Sequence, residues 1–447
     1  MEIKEFQTKL FAQGKKKGFL EMEIYYSALK STIVNVLDHD LKNYGITEQR
    51  GVSFRGLYNE KMGYSYTEKI DETSIDLLVT EAIENSRVIE MDDKEELYAG
   101  AEQYIAVNQY SKEVTDISPQ ELIEAAFTME STALGVNPFV KRVIQCSTVK
   151  SEGETIIANT KGLSCTSKYT NLSAGIYLMA SDGVQTATGY ESDFTWKGFA
   201  NIDSKEIAEK AAREALSKLG ADSINTGNYP IILRYDTATQ LLNSFASNLS
   251  GEVVEKGFSR LQGKLGEKIA GDNITIIDDP FMPDVPGATA FDGEGYPTKR
   301  NELVKKGMLL SFMHNRKTAK NAGTASTGNA VKGGYSVPLS VGPHNLYIQP
   351  GEVALADMIA TINKGIFIVE LQGTNAGINA VSGDFSLSGI GFLIEEGKIG
   401  RPINQITLAG NLYEVLHNIE MVANDLHIKG TVSSPSIKIT SLTVSGK

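Results

Sequence analysis

The stretch Asp236-Thr-Ala-Thr-Gln-Leu-Leu-Asn-Ser-Phe-Ala-Ser-Asn-Leu-Ser-Gly251 predicts one amphipathic helix, around which the second half of the chain is organised. Asp236 is suited to cap the free amides of the first helical turn. The apolar run at residues 229–235 predicts a buried strand directly before the helix. An apolar stripe recurs at helical spacing, at Leu241, Leu242, Phe245 and Leu249.

Loops rich in glycine and carboxylates follow this helix. Their clearest segments are Asp278-Asp279-Pro280, Asp292-Gly-Glu-Gly295 and Thr327-Gly-Asn329. The carboxylates could bind a divalent ion through oxygen. The alternative is that they cap turns and brace the glycine-rich loops, which is the commoner use of such residues.

The order of these segments resembles the C-terminal domain of the TldD/PmbA (TldE) family, whose members were once called modulators of DNA gyrase. The resemblance covers nearly the whole chain, although the N-terminal half matches by layout more than by motif. Further matches near the C-terminus are Gly383-Asp384-Phe385-Ser386, Gly410-Asn411 and Pro435-Ser436. The matching positions before them are Leu241-Leu242, Gly251, Lys256-Gly257, Ser259, Gly263, Gly266-Glu267, Asp278-Asp279, Asp292-Gly-Glu-Gly295, Pro297-Thr298, Gly307 and Thr327-Gly-Asn329.

The resemblance also shows where this chain departs from the metal-bearing branch. In the TldD branch the helix carries a zinc motif, HExxxH, and a late cysteine supplies another ligand. The corresponding helix positions here are Asn243, Ser244 and Asn248, and no cysteine follows Cys165. The departure implies the PmbA/TldE branch, whose members resemble partners of a metallopeptidase rather than its metal-bearing subunit.

The chemistry of these three side chains supports that interpretation. Zinc is held by imidazole, thiolate or carboxylate, and neutral amides are poor substitutes. A serine cannot act as the general base that a glutamate provides. Positions five apart differ by about 140° around a regular helix, so metal binding at that spacing would need a local distortion. We therefore expect no metal and no cofactor. Asn243, Ser244 and Asn248 are either the polar face of an ordinary helix or residues that line a peptide channel.

Composition excludes several other classes of protein. The 447 residues carry a net charge of -12, which argues against a general nucleic-acid surface because phosphate binding needs clustered Lys and Arg. No apolar run approaches the length of a membrane span. The charged N-terminus does not read as a signal peptide, and Cys146 and Cys165 fit reduced buried thiols. We expect a cytoplasmic protein that binds neither nucleic acid nor membrane.

The pattern along the chain predicts an α+β protein of two domains. Residues 1–222 form a mixed domain of helices and antiparallel strands, and residues 223–447 form a mostly-β domain of the TldD/PmbA type. In the first domain, Ser118-Pro-Gln-Glu121 is a helix start with a capping box. Gly135 is expected to end that helix, and residues 159–162 form a hairpin turn. No internal repeat is evident in the sequence.

The functional expectation follows from the resemblance. It implies a metal-free subunit of a TldD/TldE zinc peptidase, which acts with a TldD-type partner on extended or unfolded peptides. A homodimer is also compatible with the resemblance. Whether the chain is itself an enzyme stays open, because the zinc ligands are missing and no other nucleophile is convincing. The alternative is a non-enzymatic regulatory protein that acts alone on a toxin–antitoxin system or on gyrase.

Overall fold

The structure is a computed structural model that describes residues 1–88, 96–285 and 287–447. An acidic turn expected at residues 92–96 lies, except for Glu96, outside the described residues. Helices and antiparallel strands are mixed through both domains, so the expected α+β fold is confirmed.

The N-terminal domain is one six-stranded antiparallel sheet with helices packed on it. The strands lie in the order β3-β2-β1-β4-β5-β6. The helices and strands are α1 (Ile3–Lys17), β1 (Met22–Leu37), β2 (Asp40–Tyr58), β3 (Lys61–Thr67), α2 (Glu72–Val88), α3 (Lys112–Asp116), α4 (Pro119–Val136), β4 (Val140–Asn159), β5 (Ser164–Ser181), β6 (Thr186–Thr195) and α5 (Ser204–Ser217).

This domain contains a repeated unit that the sequence does not reveal. The order helix, three strands, helix occurs first as α1-β1-β2-β3-α2 and then as α4-β4-β5-β6-α5. The two halves meet where β1 pairs antiparallel with β4. In each half a glycine of the outer strand lies under the last helix. A Cβ at Gly63 would lie 1.9 Å from the carbonyl oxygen of Ala82, and one at Gly189 would lie 2.0 Å from that of Ala211.

Strand boundaries differ from the sequence expectation because long strands run through polar stretches. The sequence pattern predicts separate strands at residues 21–27 and 32–37, but β1 is continuous. It likewise predicts separate strands at residues 141–150 and 155–159, which are both part of β4. Pairing with neighbours on both sides holds these polar stretches extended. The hairpin turn before β5 is confirmed, with Gly162 at φ 107°.

The ends of α4 confirm one prediction and correct another. Ser118 and Glu121 form the predicted capping box. The helix does not end at Gly135, however, but continues through Val136 to the C-cap Asn137. Gly135 lies inside the helix and does not have a positive φ. A glycine ends a helix only when it takes the left-handed conformation, and here it does not.

The C-terminal domain is a small closed barrel joined to a second, irregular sheet. In the barrel, the sheet order β16-β15-β14-β7-β19-β17 closes because β16 also pairs with β19. The second sheet has the order β10-β9-β8-β13-β18. The helices and strands are β7 (Gly227–Leu233), α6 (Tyr235–Ala246), α7 (Gly251–Glu255), β8 (Ile276–Asp278), β9 (Asn301–Lys305), β10 (Met308–Leu309), α8 (Arg316–Asn321), β11 (Ala330–Val331), β12 (Ser340–Val341), β13 (Leu346–Ile348), α9 (Leu355–Ala360), β14 (Lys364–Gln372), α10 (Thr374–Gly377), β15 (Asp384–Glu395), β16 (Lys398–Asn411), α11 (Leu412–Asn418), β17 (Ile419–Val422), β18 (Val432–Ser433) and β19 (Ile437–Ser445).

A network of buried ion pairs joins the two domains. Glu214 of α5 accepts hydrogen bonds from Arg234, at the start of α6, and from Lys218. Lys218 is only 5% exposed and also contacts Glu370 of β14 at 2.8 Å. Because these charges are shielded from water and paired on several sides, they fix the first domain against the barrel.

Candidate functional site

Helix α6 is built much as the sequence predicts, but its two ends differ. The stripe of Leu241, Leu242 and Phe245 is buried in the main core of the C-terminal domain. Arg234, rather than Asp236, occupies the N-cap position and makes no side-chain cap. Asp236 lies inside the first turn, where it accepts from the backbone N–H of Thr237 at 2.9 Å and from Arg234 at 2.8 Å.

The chain leaves the α-helical path before the predicted apolar stripe ends. The α-helix stops at Ala246, and a 3₁₀ turn spans Ser247–Leu249. Leu249 is still fully buried, so the stripe is kept while the backbone tightens. A local distortion of the helix, which metal binding at this spacing would need, is therefore present between Asn243 and Asn248 although both positions are asparagine.

The three positions aligned with the zinc motif lie in different environments. Asn243 is exposed on α6, and the hydroxyl of Ser244 donates to the carbonyl of Gln240 at 3.0 Å. Asn248 is only 1% exposed. Its Nδ2 donates to the carbonyls of Phe245 and Ala380, at 3.2 and 3.1 Å.

The other side of the Asn248 amide is also occupied. Its Oδ1 accepts from the hydroxyl of Tyr413 on α11 at 2.8 Å. Asn248 thus ties the end of α6 to two other parts of the domain. An amide already used in this way, a bonded hydroxyl and an exposed amide do not fit a catalytic zinc ion. Within the described residues, no three His, Cys, Asp or Glu side chains are grouped as metal ligands.

A large cavity lies elsewhere, in a cleft between the two domains. Its volume is about 1160 Å³, slightly above the usual range for small-molecule pockets. Strands β1, β2 and β3 form one wall, with Tyr25, Tyr64 and Tyr66 among its residues. The opposite wall comes from α7, α8 and the segment 332–339 of the C-terminal domain. Asn243, Ser244 and Asn248 are not among the residues that line this cleft.

Buried charges lie at the floor of the cleft, where the domains meet. Arg55 Nη2 lies 2.7 Å from Glu23 Oε1, and both side chains are nearly buried. Asn159 donates to the second oxygen of Glu23 at 3.0 Å. Glu294, from the opposite domain, accepts from the backbone N–H of Arg316 at 2.8 Å. Burial raises the pKa of Glu294, and the charge of Arg55 opposes that shift.

Lys332 adds a cation to the same cleft. Its Nζ lies 5.2 Å from the centre of the Tyr25 ring and donates to the carbonyl of Val337 at 3.0 Å. Burial, together with the positive charge of Arg55, lowers the pKa of Lys332 to about 8. The cleft therefore offers carboxylates, cations and aromatic rings side by side, which suits a ligand with both polar and apolar groups, such as a peptide.

The motif carboxylates outside the cleft brace loops. Asp278 is fully buried and accepts from the backbone N–H groups of His344 and Asn345, at 2.9 and 2.8 Å. Its other oxygen accepts from Asn329 Nδ2 at 2.6 Å. The Asp278 carboxylate thereby links the loops that carry the Asp278-Asp279 and Thr327-Gly-Asn329 motifs.

Asp292 plays the same part in its own loop. It accepts from the backbone N–H groups of Glu294, Tyr296 and Ala330, at 2.9, 3.0 and 3.1 Å. Burial, with the nearby charge of Glu294, raises the pKa of Asp292. Of the two roles considered from the sequence, bracing of the loops is therefore the one that the contacts of Asp278 and Asp292 show.

Two of the histidines, His314 and His344, and both cysteines have structural surroundings. His314 contacts Thr318 through Nδ1 at 3.1 Å, and His344 contacts the carbonyl of Gly328 through Nε2 at 2.7 Å. Cys146 and Cys165 are buried and free, as expected. Among the described residues, every helix is too short or too polar to cross a bilayer.

Comparison with known proteins agrees with this architecture. Models of three PmbA/TldA metallopeptidase domains, namely domain 1, the central domain and the C-terminal domain, match residues 22–86, 112–219 and 226–446. Metalloprotease PmbA of Escherichia coli O157:H7 is 26% identical over 74% of this chain and 71% of its own length.

Two solved structures are similar over almost their full length. A protein of Thermotoga maritima, named as a candidate modulator of DNA gyrase, is 29% identical with a TM-score of 0.92, covering 99% of this chain and 100% of the other. TldE from Thermococcus kodakarensis has the same fold, with a TM-score of 0.89 at 24% identity over 99% and 100% of the two chains. The fold and its braced loops define a metallopeptidase-like protein. The chain belongs to the PmbA/TldD/TldE family.

Sequence reasoning placed the candidate site on α6 and missed the cleft. Glu23, Arg55 and Lys332 are far apart in sequence, so no motif connects them. One pattern does point to them: Glu23 and Tyr25 alternate with apolar residues along a strand whose other face is core. A buried carboxylate at such a position needs a partner, and that requirement predicts a cation on the neighbouring strand.

Proposed function

We propose that this chain is a PmbA/TldE-type subunit that carries no catalytic metal and acts with a TldD-type zinc peptidase chain in the cytoplasm. In this complex the partner holds zinc and cuts, while this chain helps to enclose and hold an extended or unfolded peptide. The observation that carries the proposal is the amide of Asn248. It is buried and bonded on both sides, at a position that corresponds to a zinc-binding histidine in the TldD branch.

The interdomain cleft supports a role in holding peptide. It is large enough for more than a small metabolite, and its wall carries the exposed ring of Tyr66. Its mixed charges can pair with the charged side chains of a peptide without selecting one sign. Backbone pairing with a sheet edge, which reads extension rather than sequence, is a second way in which this chain could hold such a substrate.

The first experiment is reconstitution. The purified chain alone should hydrolyse no unfolded peptide and retain no stoichiometric zinc, and hydrolysis should appear when a TldD-type chain is added. Stoichiometric zinc in the isolated chain, with turnover, would contradict the proposal. A stable complex with gyrase but none with a TldD-type chain would favour the stand-alone regulatory role.

A pair of matched variants tests whether the cleft holds the substrate. Tyr66 on β3 is 56% exposed within the cleft, and Tyr190 on β6 is 59% exposed away from it. In the reconstituted complex, Tyr66→Ala should raise the KM for an unfolded peptide several-fold, while Tyr190→Ala should leave KM unchanged. If the two substitutions change KM equally, the cleft does not hold the peptide.

A further inference from the structure

Lys332 is a cation of the interdomain cleft that is not paired with an acid. Its Nζ donates to the carbonyl of Val337 at 3.0 Å and lies 5.2 Å from the centre of the Tyr25 ring. In the described part of the chain, no carboxylate oxygen lies within 4 Å of this nitrogen. An ammonium group has three N–H donors, so two remain for a ligand.

The carboxylates at the floor of the cleft already have other partners. Both oxygens of Glu23 are used, one by Arg55 and one by Asn159. Glu294 accepts from a backbone N–H at 2.8 Å. Lys332 itself is half-buried and lines the cleft, so a ligand there can reach it. A cation that is partly withdrawn from water and lacks a carboxylate is stabilised when an anionic ligand supplies one.

A row of three side chains leads across the sheet to Lys332. Tyr66 of β3 is paired with Ser53 of β2, and Ser53 is paired with Tyr25 of β1. Residues directly opposite each other on neighbouring strands share one face of a sheet, and all three residues line the cleft. The row is open at Tyr66, which is 56% exposed on the outermost strand of the sheet.

The same row is closed at its other end. Tyr25 is paired with Ile157 of β4, which is fully buried. Ile157 belongs to an apolar cluster with Leu163 and Cys165, and Tyr25 packs against that cluster. A peptide that lies along the row must therefore end beside Tyr25, next to Lys332. The ammonium group of Lys332 attracts a C-terminal carboxylate there and repels an N-terminal amine.

We propose that the cleft binds a peptide by its C-terminus, with the terminal carboxylate accepting from Lys332 Nζ and the chain crossing β2 towards Tyr66. Neighbouring strands lie about 4.8 Å apart, so two strand spacings separate Tyr66 from Tyr25 by about 10 Å. This distance is about three residues of extended chain. The Tyr66 ring therefore meets the side chain about three residues before the last, where an aromatic group makes the best contact.

This inference rests on the proposed function, because it identifies which peptides the cleft holds and in which direction they lie. Binding to the cleft is measurable with the full chain alone, whereas hydrolysis requires a TldD-type partner. A failure of the C-terminal assignment is therefore distinguishable from a failure of the peptidase role.

Fluorescence anisotropy at pH 7 provides the test, since Lys332, with a pKa of about 8, is still mostly charged there. The probe is a short unfolded peptide, labelled at its N-terminus, which lacks Asp and Glu and carries Phe three residues before its last. The free acid should bind about tenfold more tightly than the C-terminal amide, because the amide cannot accept a charge-assisted hydrogen bond. An amide peptide with one Asp at its centre should bind no better than the plain amide.

Variants locate the group that recognises the carboxylate. Lys332→Gln should bind acid and amide equally, whereas Lys332→Arg should keep most of the tenfold difference. Lys210→Gln is the matched control, because it removes the same charge from an exposed pair on α5, and it should leave the difference unchanged. Tyr66→Ala should weaken binding of both peptides and cancel the benefit of the Phe.

Several outcomes would overturn the inference. If acid and amide bind the wild-type chain equally and Tyr66→Ala weakens both, the cleft holds peptides but does not recognise their C-terminus. Tight binding of the amide with a central Asp would show that any carboxylate suffices. A tenfold difference that persists in Lys332→Gln would exclude Lys332. If neither peptide binds, the role of the cleft in holding peptide is wrong as well.

Discussion

Replacement of Asn248 by alanine tests whether the amide of this side chain stabilises the fold. The side chain is 1% exposed and makes three hydrogen bonds, to Phe245, Ala380 and Tyr413. Asn248→Ala removes all three and leaves the Tyr413 hydroxyl and two carbonyls without their partner. Ala380 is exposed and Tyr413 is half-buried, so water replaces part of the loss. The expected decrease in the free energy of unfolding is about 2 kcal/mol.

Asn243→Ala is the matched control, because it makes the same chemical change one and a half turns earlier on the same helix. Asn243 is exposed, and alanine is the better helix former, so the expected change is within about 0.5 kcal/mol of zero. Far-UV circular dichroism during urea unfolding gives the midpoints for both variants. The reasoning fails if Asn243→Ala destabilises the chain as much as Asn248→Ala.

Tyr413→Phe is the second single variant of a double-mutant cycle with Asn248→Ala. It removes the hydroxyl that donates to Asn248 Oδ1 and leaves that oxygen buried without the donor, which should cost about 1 kcal/mol. The double variant should lose less than the sum of the two single changes, because both break the same bond. Strict additivity would show that the amide and the hydroxyl do not interact in solution.

Other predictions concern the domain core, the domain junction and the cleft. Gly63→Ala should lower the free energy of unfolding by about 2 kcal/mol or more, because its methyl group would meet the backbone of α2; thermal unfolding measures this loss. Glu214→Gln should lower that free energy by about 1–3 kcal/mol in urea, because Arg234 and Lys218 lose a shared carboxylate, whereas Glu206→Gln in an exposed pair should cost under about 0.5 kcal/mol. Lys332, whose pKa is lowered to about 8, has its charged form disfavoured by folding, so its penalty to stability is full below pH 8 and falls as pH rises towards 10.5. Mass spectrometry after brief acetylation at a series of pH values should therefore show the rate of Lys332 modification level off above about pH 8. A rate that still rises about tenfold per pH unit above pH 9 would contradict the lowered pKa.

Local chemistry made much of the first domain predictable. The capping box at Ser118 and the turn at Gly162 depend on residues a few positions apart, and both are present. The true lengths of β1 and β4 were not predictable in this way. Their polar stretches are held extended by neighbours more than a hundred residues away, for example Lys30 opposite Glu152.

The candidate site shows the same division between local and distant causes. Asn243 and Ser244 could be placed on a polar helix face from periodicity alone. The burial of Asn248 could not, because its partners Ala380 and Tyr413 come from remote loops and helices. The repeated unit of the first domain was not predictable from the sequence either. It lies in the order of helices and strands, which two sequences can share without visible similarity.

The two halves of the first domain, α1-β1-β2-β3-α2 and α4-β4-β5-β6-α5, have the same order of helices and strands but contact different parts of the molecule. The cleft wall on this side draws on the half before α3, through residues such as Glu23, Arg55 and Tyr66. The half that begins with α4 instead anchors the domain, through Glu214 and Lys218. Substitutions in the first half should therefore alter the cleft, whereas substitutions in the second half should alter how firmly this domain is attached to the barrel.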